Sequence, residues 1–309
     1  MRQGMRRGIV IGVLTAAGAL SIAVAGFQQP PARVVEVEKV RENLFMLKGG
    51  GGNTAVFVRA DGVTVVDTKN PGWGQPVLDK IRELTNKPVA MIINTHTHFD
   101  HVSGNVEFPA TVDVVAQENT AANMKVMTAV SGFETPGAPP PSIFEQNKGR
   151  NLAKRTFKDR MTLGKGADRI DLYYFGRGHT NGDAWVVFPS LRVMHAGDMF
   201  PGRSIPIMDV NNGGSGVDFP DTLAKAHRTV KNIDTVITGH STLMTMKDLQ
   251  EYADFNRDFR DAVRAAKKAG KSVEEIAGSW KIPAAYPGYS APQAARLKLN
   301  VEAVYKESR

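Results

Sequence analysis

Residues that bind metal ions are concentrated between positions 96 and 101 of this chain. The segment reads His96-Thr97-His98-Phe99-Asp100-His101. Imidazole and carboxylate groups are ligands that zinc accepts at neutral pH, and a set without thiolate is typical of a catalytic rather than a structural ion. In an extended segment His96 and His98 point to the same side, whereas Asp100 and His101 can face a neighbouring position. The spacing therefore predicts a metal site with room for two ions.

Three further residues of ligand type follow apolar runs later in the chain. They are His179 in Gly178-His179-Thr180, Asp198 in Gly197-Asp198, and His240 in Gly239-His240. Each comes after a strand-like run and a glycine, which lets the backbone turn sharply and approach an ion closely. Together with the first segment, these positions predict one shared metal centre.

The order of these motifs resembles the metallo-β-lactamase superfamily. The likeness extends over roughly Val34 to His240 and includes the segments 51–58 and 62–68, which are similar to the paired strands that open this fold. The resemblance implies two Zn²⁺ ions per chain and a role for each motif residue. The implied ligands are His96, His98 and His179 for the first zinc, Asp100, His101 and His240 for the second, and Asp198 as a bridge between them.

The resemblance also implies a reaction. A hydroxide held by the two zinc ions attacks an acyl bond of a small-molecule substrate, because zinc lowers the pKa of bound water to about 7 and polarises the attacked carbonyl. Asp100 is then the catalytic residue that shuttles a proton. The class of protein implied is a zinc-dependent hydrolase.

Departures from the family patterns narrow the substrate. Chains similar to the thiol-ligand β-lactamases have cysteine where Asp198 stands, and a following lysine that binds the substrate carboxylate. This chain has no cysteine, and Arg203 is the candidate for a substrate-binding cation, with an exposed loop arginine as the alternative. Asp198 looks like the bridging residue of the glyoxalase II and lactonase branches, which favours a lactone, thioester or β-lactam-type amide.

The first thirty residues have the pattern of a secretory signal. Three arginines precede an apolar run from Gly8 to Gly26, which ends in small residues before a proline pair. We therefore expect a cleavable signal peptide over residues 1–25 and a periplasmic or secreted protein that meets the membrane only during export. A retained anchor is the alternative, since the run is about long enough to span a bilayer.

Composition is typical of one enzyme domain. The formal net charge is +8 and falls by three to +5 without Arg2, Arg6 and Arg7. Much of the remaining excess lies in the C-terminal helical region, where a solvated face explains it. We therefore expect no nucleic-acid partner, and the sequence leaves the oligomeric state open.

Apolar periodicity predicts two strand-rich halves. Strands are expected near 34–40, 44–47, 54–59, 63–67, 89–94, 155–163, 170–175, 184–189 and 192–196, and a further strand just before His240. Helices are expected near 75–84 and 219–230, and a strand-and-helix unit near 112–127. This pattern predicts an α/β fold, a four-layer αββα sandwich of the metallo-β-lactamase type, with the metals at one edge.

Residues 34–245 are expected to form the catalytic domain, and residues 246–309 a C-terminal helical extension packed on its core.

Substrate determinants are expected in the loops 69–74, 131–142 and 201–216, of which the Pro/Gly-rich 131–142 is expected to be mobile. The aromatic residues Trp280, Tyr286 and Tyr289 could line a substrate mouth, but we favour packing of the terminal helix. His195 is expected to support the Asp198 turn.

Two other function classes fit the motifs. One is a mononuclear iron dioxygenase of the persulfide type, in which His101 and His240 are dispensable for metal binding. The other is a non-catalytic relay or binding protein that keeps the fold. Alanine substitution at His240 distinguishes the first of these from a dizinc hydrolase.

Overall fold

The structure is a computed structural model that describes residues 33–137 and 141–308. In these residues, which belong to one compact unit, alternating and continuous apolar runs form twelve strands in two mixed sheets. In the described part of the chain, no helix is long and apolar enough to cross a membrane. The predicted signal peptide lies outside the described residues.

The first sheet has seven strands in sequence order. They are β1 (Glu36–Arg41), β2 (Leu44–Lys48), β3 (Thr54–Arg59), β4 (Gly62–Val66), β5 (Val89–Asn94), β6 (Asp113–Gln117) and β7 (Arg155–Phe157). Strands β1 to β4 pair antiparallel, and β4 to β7 pair parallel. The parallel strands β4 and β5 have buried, almost wholly apolar sequences, as expected of strands covered on both faces.

The second sheet has five strands in the order β12-β11-β10-β9-β8. Their bounds are β8 (Arg160–Leu163), β9 (Ile170–Tyr174), β10 (Ala184–Phe188), β11 (Val193–His195) and β12 (Thr235–Ile237). The prediction of one strand over 155–163 is wrong. The chain leaves the first sheet after Phe157 and enters the second at Arg160, and the polar pair Lys158-Asp159 makes this crossing.

Eight helices flank the sheets or connect their strands in the described residues. They are α1 (Gly74–Leu84), α2 (Phe99–Val102), α3 (Glu118–Val126), α4 (Ile143–Gln146), α5 (Phe219–Thr229), α6 (Met246–Lys268), α7 (Val273–Ser279) and α8 (Ala294–Glu307). Capping boxes begin α4, α6 and α7, in which a serine or threonine side chain accepts from a backbone amide three residues later.

Apolar packing divides the protein into four layers. Residues of both sheets, including Phe57 and Phe188 with ring centroids 5.1 Å apart, form the central core. A second apolar cluster lies between the first sheet and helices α1 and α3, and a third between the second sheet and helices α5, α6 and α8. This arrangement confirms the predicted αββα sandwich.

The C-terminal aromatic residues pack on helix α6. Trp280 contacts Phe255 and Phe259 edge-on, and Tyr286 and Tyr289 pack on Phe255. This confirms that these aromatic residues pack on the protein core, the interpretation that we favoured over a role in lining a substrate mouth.

Candidate metal centre

Strand ends carry the first ligand group to one edge of the sandwich. His96 and His98 follow β5, and His179 lies in the loop between β9 and β10. All three side chains are buried. The Nδ1 atom of His98 lies 3.1 Å from Nε2 of His179, close to the separation of about 3.4 Å expected for two nitrogens bound tetrahedrally to one zinc.

The second ligand group lies beside the first. The Nε2 atom of His101 is 3.3 Å from Nε2 of His240 and 3.7 Å from a carboxylate oxygen of Asp100. The same Asp100 oxygen is 3.4 Å from His240 Nε2. Asp100 and His101 are in the short helix α2, which begins directly after His98, while His240 follows β12.

The Asp198 carboxylate lies between the two groups. One oxygen is 3.7 Å from His179 Nε2 and 3.1 Å from His240 Nε2, and the other is 3.3 Å from His101 Nε2. The structure thus brings all seven residues predicted from the sequence to one place. They form the two potential metal-holding sets His96-His98-His179-Asp198 and Asp100-His101-His240.

Hydrogen bonds to the outer ring nitrogens fix the tautomers of the first group. The Thr95 hydroxyl donates to Asp67 at 2.6 Å, so it accepts from Nδ1–H of His96 at 2.9 Å. His98 donates from Nε2 to Asp209 at 2.8 Å, and His179 donates from Nδ1 to the carbonyl of Ile207 at 2.7 Å. Each ring therefore presents an unprotonated nitrogen to the cluster, as metal-binding histidines do.

Burial keeps His96 and His179 of the first group neutral. Desolvation lowers the pKa of His96 well below its usual value, and the nearby His101 lowers it further. Desolvation also lowers the pKa of His179 to about 3, and His98 adds to this shift. At neutral pH both imidazoles therefore have lone pairs available for a cation.

The second group is electrostatically different. Burial opposes protonation of His101, but Asp198, Asp100 and Asp67 together raise its pKa well above the usual value. Asp198 likewise raises the pKa of His240. Burial opposes ionisation of Asp198, yet His240 and His101 hold its pKa well below the usual range. Without a cation, protons on these two imidazoles balance the carboxylates.

The donor set fits a bound cation. Nε2 of His96 and one carboxylate oxygen of Asp198 are buried without a hydrogen-bond partner, and the facing nitrogens of His98 and His179 are both acceptors. Such buried, unpaired acceptors are costly unless an ion or a water satisfies them. The nitrogen and carboxylate ligands, with no thiolate, suit zinc in a catalytic site.

Two carboxylates that support the ligands were missed at the sequence level. Asp67, directly after β4, contacts Nδ1 of His101 at 2.7 Å and reaches His96 through Thr95, so it connects the two groups. The parallel pairing of β4 with β5 places it there, and its position after an apolar strand was a usable signal. Asp209 lies 111 residues from His98 in a loop without periodicity, so the sequence offers no comparable signal.

The glycine turn of Asp198 has the predicted histidine support. His195 accepts from the backbone amide of Gly197 through Nδ1 at 3.1 Å, so its Nε2–H donates to the carbonyl of Asn53. The Asn53 side chain in turn donates to the carbonyls of Thr238 and Ser241, on either side of His240. These bonds connect the loops that carry Asp198 and His240.

A cavity of about 330 Å³ opens onto the two ligand groups. Its lining residues are His98, Phe99, Asp100, Val130, Phe133, His179, Asp198, Pro201, Ser204, Ile205, Ile207 and His240. Two of the three loops expected to hold substrate determinants contribute to this lining, 131–142 and 201–216, and the loop 69–74 does not. The mobility expected of the loop 131–142 stays a prediction.

Arg203 is not brought to this cavity. Its guanidinium donates to Asp248 at 2.7 Å and lies 3.8 Å from Glu251, both in helix α6. The ion pairs direct the side chain toward the helix, so the geometry supports the alternative of a loop arginine over a substrate-binding cation.

The two-sheet sandwich with histidine and aspartate clusters at its edge defines a class of metal-dependent proteins. A sequence profile of the metallo-β-lactamase superfamily matches residues 47–240. The chain therefore belongs to this superfamily, a family of metallo-hydrolases, and its side-chain clusters could hold metal ions.

Individual relatives span most of the chain. It is 23% identical to metallo-beta-lactamase type 2 of Elizabethkingia meningoseptica over 246 residues, 75% of this chain and 89% of that protein. It is 27% identical to hydroxyacylglutathione hydrolase of Nostoc punctiforme over 256 residues, 78% and 82% of the two chains. The solved metallo-beta-lactamase from Pontibacter korlensis has a TM-score of 0.57 at 17% identity, covering 72% of this chain and 99% of that one. These relatives hydrolyse small molecules, according to their names.

Proposed function

We propose that this protein is an exported dizinc hydrolase that cleaves an acyl bond of a small-molecule substrate, such as a lactone, a thioester or a β-lactam-type amide. One observation carries the proposal: five imidazoles and two carboxylates form one cluster beside a cavity, and hydrogen bonds to the outer nitrogens turn the other nitrogen of each first-group ring inward. The names of the relatives support hydrolysis of such bonds.

The ligand residues divide into two sets in this proposal. His96, His98 and His179 would hold one ion, Asp100, His101 and His240 would hold the other, and Asp198 is available to both. When bound, zinc lowers the pKa of water to about 7 and polarises a carbonyl group.

The protein's own groups orient the reactants and move protons. Asp100 lines the cavity and is part-exposed, so its carboxylate can hold a proton at the point where substrate enters. Asp67, Asp209 and the Ile207 carbonyl keep three of the imidazoles in fixed orientations. The apolar residues of the cavity wall exclude bulk water from the reacting bond.

Elemental analysis of the purified protein, paired with hydrolysis assays, tests the proposal. We expect about two zinc ions per chain and turnover of a chromogenic β-lactam, an aryl lactone or a thioester that is lost on chelation. The relative rates then rank the bond types. One iron per chain without hydrolysis contradicts the proposal and favours a mononuclear dioxygenase, and metal binding without turnover of any substrate favours a binding protein.

Export is a separate part of the proposal. It depends on the arginine-led apolar run of the first 26 residues. Fractionation of cells that express the full chain, followed by N-terminal sequencing, measures both location and cleavage. A periplasmic product that begins near residue 26 supports export, and a cytoplasmic product with an intact N-terminus contradicts it.

A further inference from the structure

Apart from Ser204 and the ligand residues, the side chains that line the cavity are apolar. They form a wall of Phe99, Val130, Phe133, Pro201, Ile205 and Ile207. Phe99 and Phe133 are 45% and 53% exposed, an unusual amount for large apolar side chains. Apolar side chains held open at a cavity are available to bury apolar parts of a ligand.

No lysine or arginine lines this cavity within residues 33–137 and 141–308. Three cations outside this lining are each held by other groups of the protein. Arg203 pairs with Asp248 and Glu251 of α6. The guanidinium of Arg296 lies over the ring of Phe133, 5.3 Å from its centroid. Lys69 is buried and donates to the carbonyls of Leu47 and Gly52.

A substrate carboxylate held away from the metal ligands would therefore meet no lysine or arginine among the lining residues. Burial of an unpaired charge is costly, whereas burial of a methylene group is favourable. A site that needs to hold a substrate carboxylate uses a positioned arginine or lysine. The cavity also lies at the small end of the range for ligand sites, which favours a compact acyl group.

We propose that the cavity selects neutral substrates, esters or lactones whose apolar acyl or aryl group packs against the wall of Phe99, Val130, Phe133, Pro201, Ile205 and Ile207. This inference rests on the proposed hydrolase function and specifies its substrate class. In the reaction the acyl C–O bond breaks, a bond forms between the acyl carbon and the water oxygen, and a proton of that water passes to the leaving oxygen. No oxidant or co-reactant is required.

Matched esters test the charge preference in the zinc-loaded full-length protein. p-Nitrophenyl butyrate and p-nitrophenyl hemisuccinate have acyl groups of similar length, but the second ends in a carboxylate. We expect kcat/KM to be at least about tenfold higher for the butyrate. p-Nitrophenyl acetate serves as the short reference. We expect kcat/KM for the butyrate to exceed that for the acetate by up to about fourfold per added methylene.

Substitution of Phe133 tests the apolar wall. Phe133→Ala is expected to reduce the butyrate-to-acetate ratio of kcat/KM severalfold, while the zinc content measured by elemental analysis is retained. Phe133→Leu should restore most of the ratio. Val126→Ala removes another exposed apolar side chain, on helix α3 away from the cavity lining, and should leave the ratio unchanged.

The outcomes separate this inference from the proposed function. Chelator-sensitive hydrolysis in which the hemisuccinate equals or exceeds the butyrate overturns the neutral-substrate inference alone. An unchanged ratio in Phe133→Ala overturns the assignment of the wall. Absence of turnover for every ester, lactone and thioester with zinc bound overturns the hydrolase function, and this inference with it.

Discussion

The two ligand groups differ in how firmly the protein holds them. His96, His98 and His179 are at most 3% exposed, and the outer nitrogen of each ring has a hydrogen-bond partner. The side chain of His240 is 38% exposed and that of Asp100 is 19% exposed. For the described residues, no hydrogen bond fixes Nδ1 of His240, whereas His101 has its bond to Asp67.

This difference assigns separate physical tasks to the two groups. Imidazoles held in fixed orientations lose little conformational entropy when they bind an ion, and His96 and His179, which burial keeps neutral, release no proton. The first group should therefore bind more tightly. In the second group, an ion must displace the protons that the carboxylates attract to His101 and His240. Asp100 and His240 of the second group are the ligand side chains that solvent reaches most directly.

Alanine substitution in each group provides the strongest test of this comparison. His96→Ala should reduce kcat/KM by about a thousandfold or more, because a metal ion contributes several kcal/mol to the reaction and about 1.4 kcal/mol corresponds to tenfold. His240→Ala should lose one ion, keep the other and retain measurable turnover. Metal content by elemental analysis and kcat/KM for one ester measure both effects.

Two results would break the comparison. Equal metal loss in the two variants would show that the groups bind as one unit. Full metal content and turnover in His240→Ala would show that this residue is dispensable, as expected for a mononuclear site.

Removal of the Asp209 carboxylate should weaken the first group selectively. Asp209 accepts from His98 and also from the amide and hydroxyl of Ser131. Loss of such a supporting carboxylate typically costs 10- to 100-fold in metal affinity, so we expect a loss of about this size for the tighter ion in Asp209→Asn. Competition with a chromogenic chelator measures the affinities.

The surface variant Asp234→Asn is the matched control, since it removes a carboxylate that pairs with Arg192 away from the site. A decrease in affinity confined to the weaker ion of Asp209→Asn would contradict the assignment of His98 to the first group.

The sequence was most informative where function follows local structure. The ligands lie in the segments that follow apolar strands, so their positions near strand ends could be predicted from periodicity and glycine placement. The support provided by Asp67 depends on the parallel pairing of Val66 with Ile93, a tertiary contact. The division of 155–163 into two strands depends on which sheet has a free edge, and local apolar pattern carries no such information.

A methyl group added at Gly52 should disturb the second group alone. A Cβ atom there would overlap the imidazole of His101, which is buried and tied to Asp67, so that the ring must shift. We expect Gly52→Ala to weaken the second ion by about tenfold, since a shift of this kind loosens one of its ligands, while the first ion is retained. Isothermal titration calorimetry with zinc measures both.

Gly278→Ala is the matched control, because a Cβ atom at Gly278 in helix α7 meets no other atom. That variant should bind zinc as the wild type does. Equal weakening of both ions in Gly52→Ala would mean that the two groups move together.

The smallest expected effect is a pH dependence of the free energy of unfolding. It arises from Lys69, which supports the second ligand group through the backbone of Gly52. Its ammonium nitrogen donates to the carbonyl of Gly52, and burial lowers its pKa from 10.5 to about 7 despite the attraction of Asp67 and Asp100. Between these pH values the unfolded chain binds more protons than the folded one. The free energy of unfolding should therefore rise with pH from about 7 to 10.5, by at most about 1.4 kcal/mol per pH unit. Below and above this range, the contribution of Lys69 does not change with pH.

Urea unfolding of chelator-treated protein at pH 7, 8 and 9 measures this slope. Lys69→Met should show a smaller slope than the wild type, because the variant has no proton to gain at this position. Lys267→Met also removes a lysine that donates to two carbonyl oxygens, those of Tyr305 and Ser308, and controls for the loss of such bonds. If the slopes of wild type and Lys69→Met coincide, Lys69 keeps its proton in the folded state. A charged ammonium group, rather than a neutral amine, then donates to the Gly52 carbonyl.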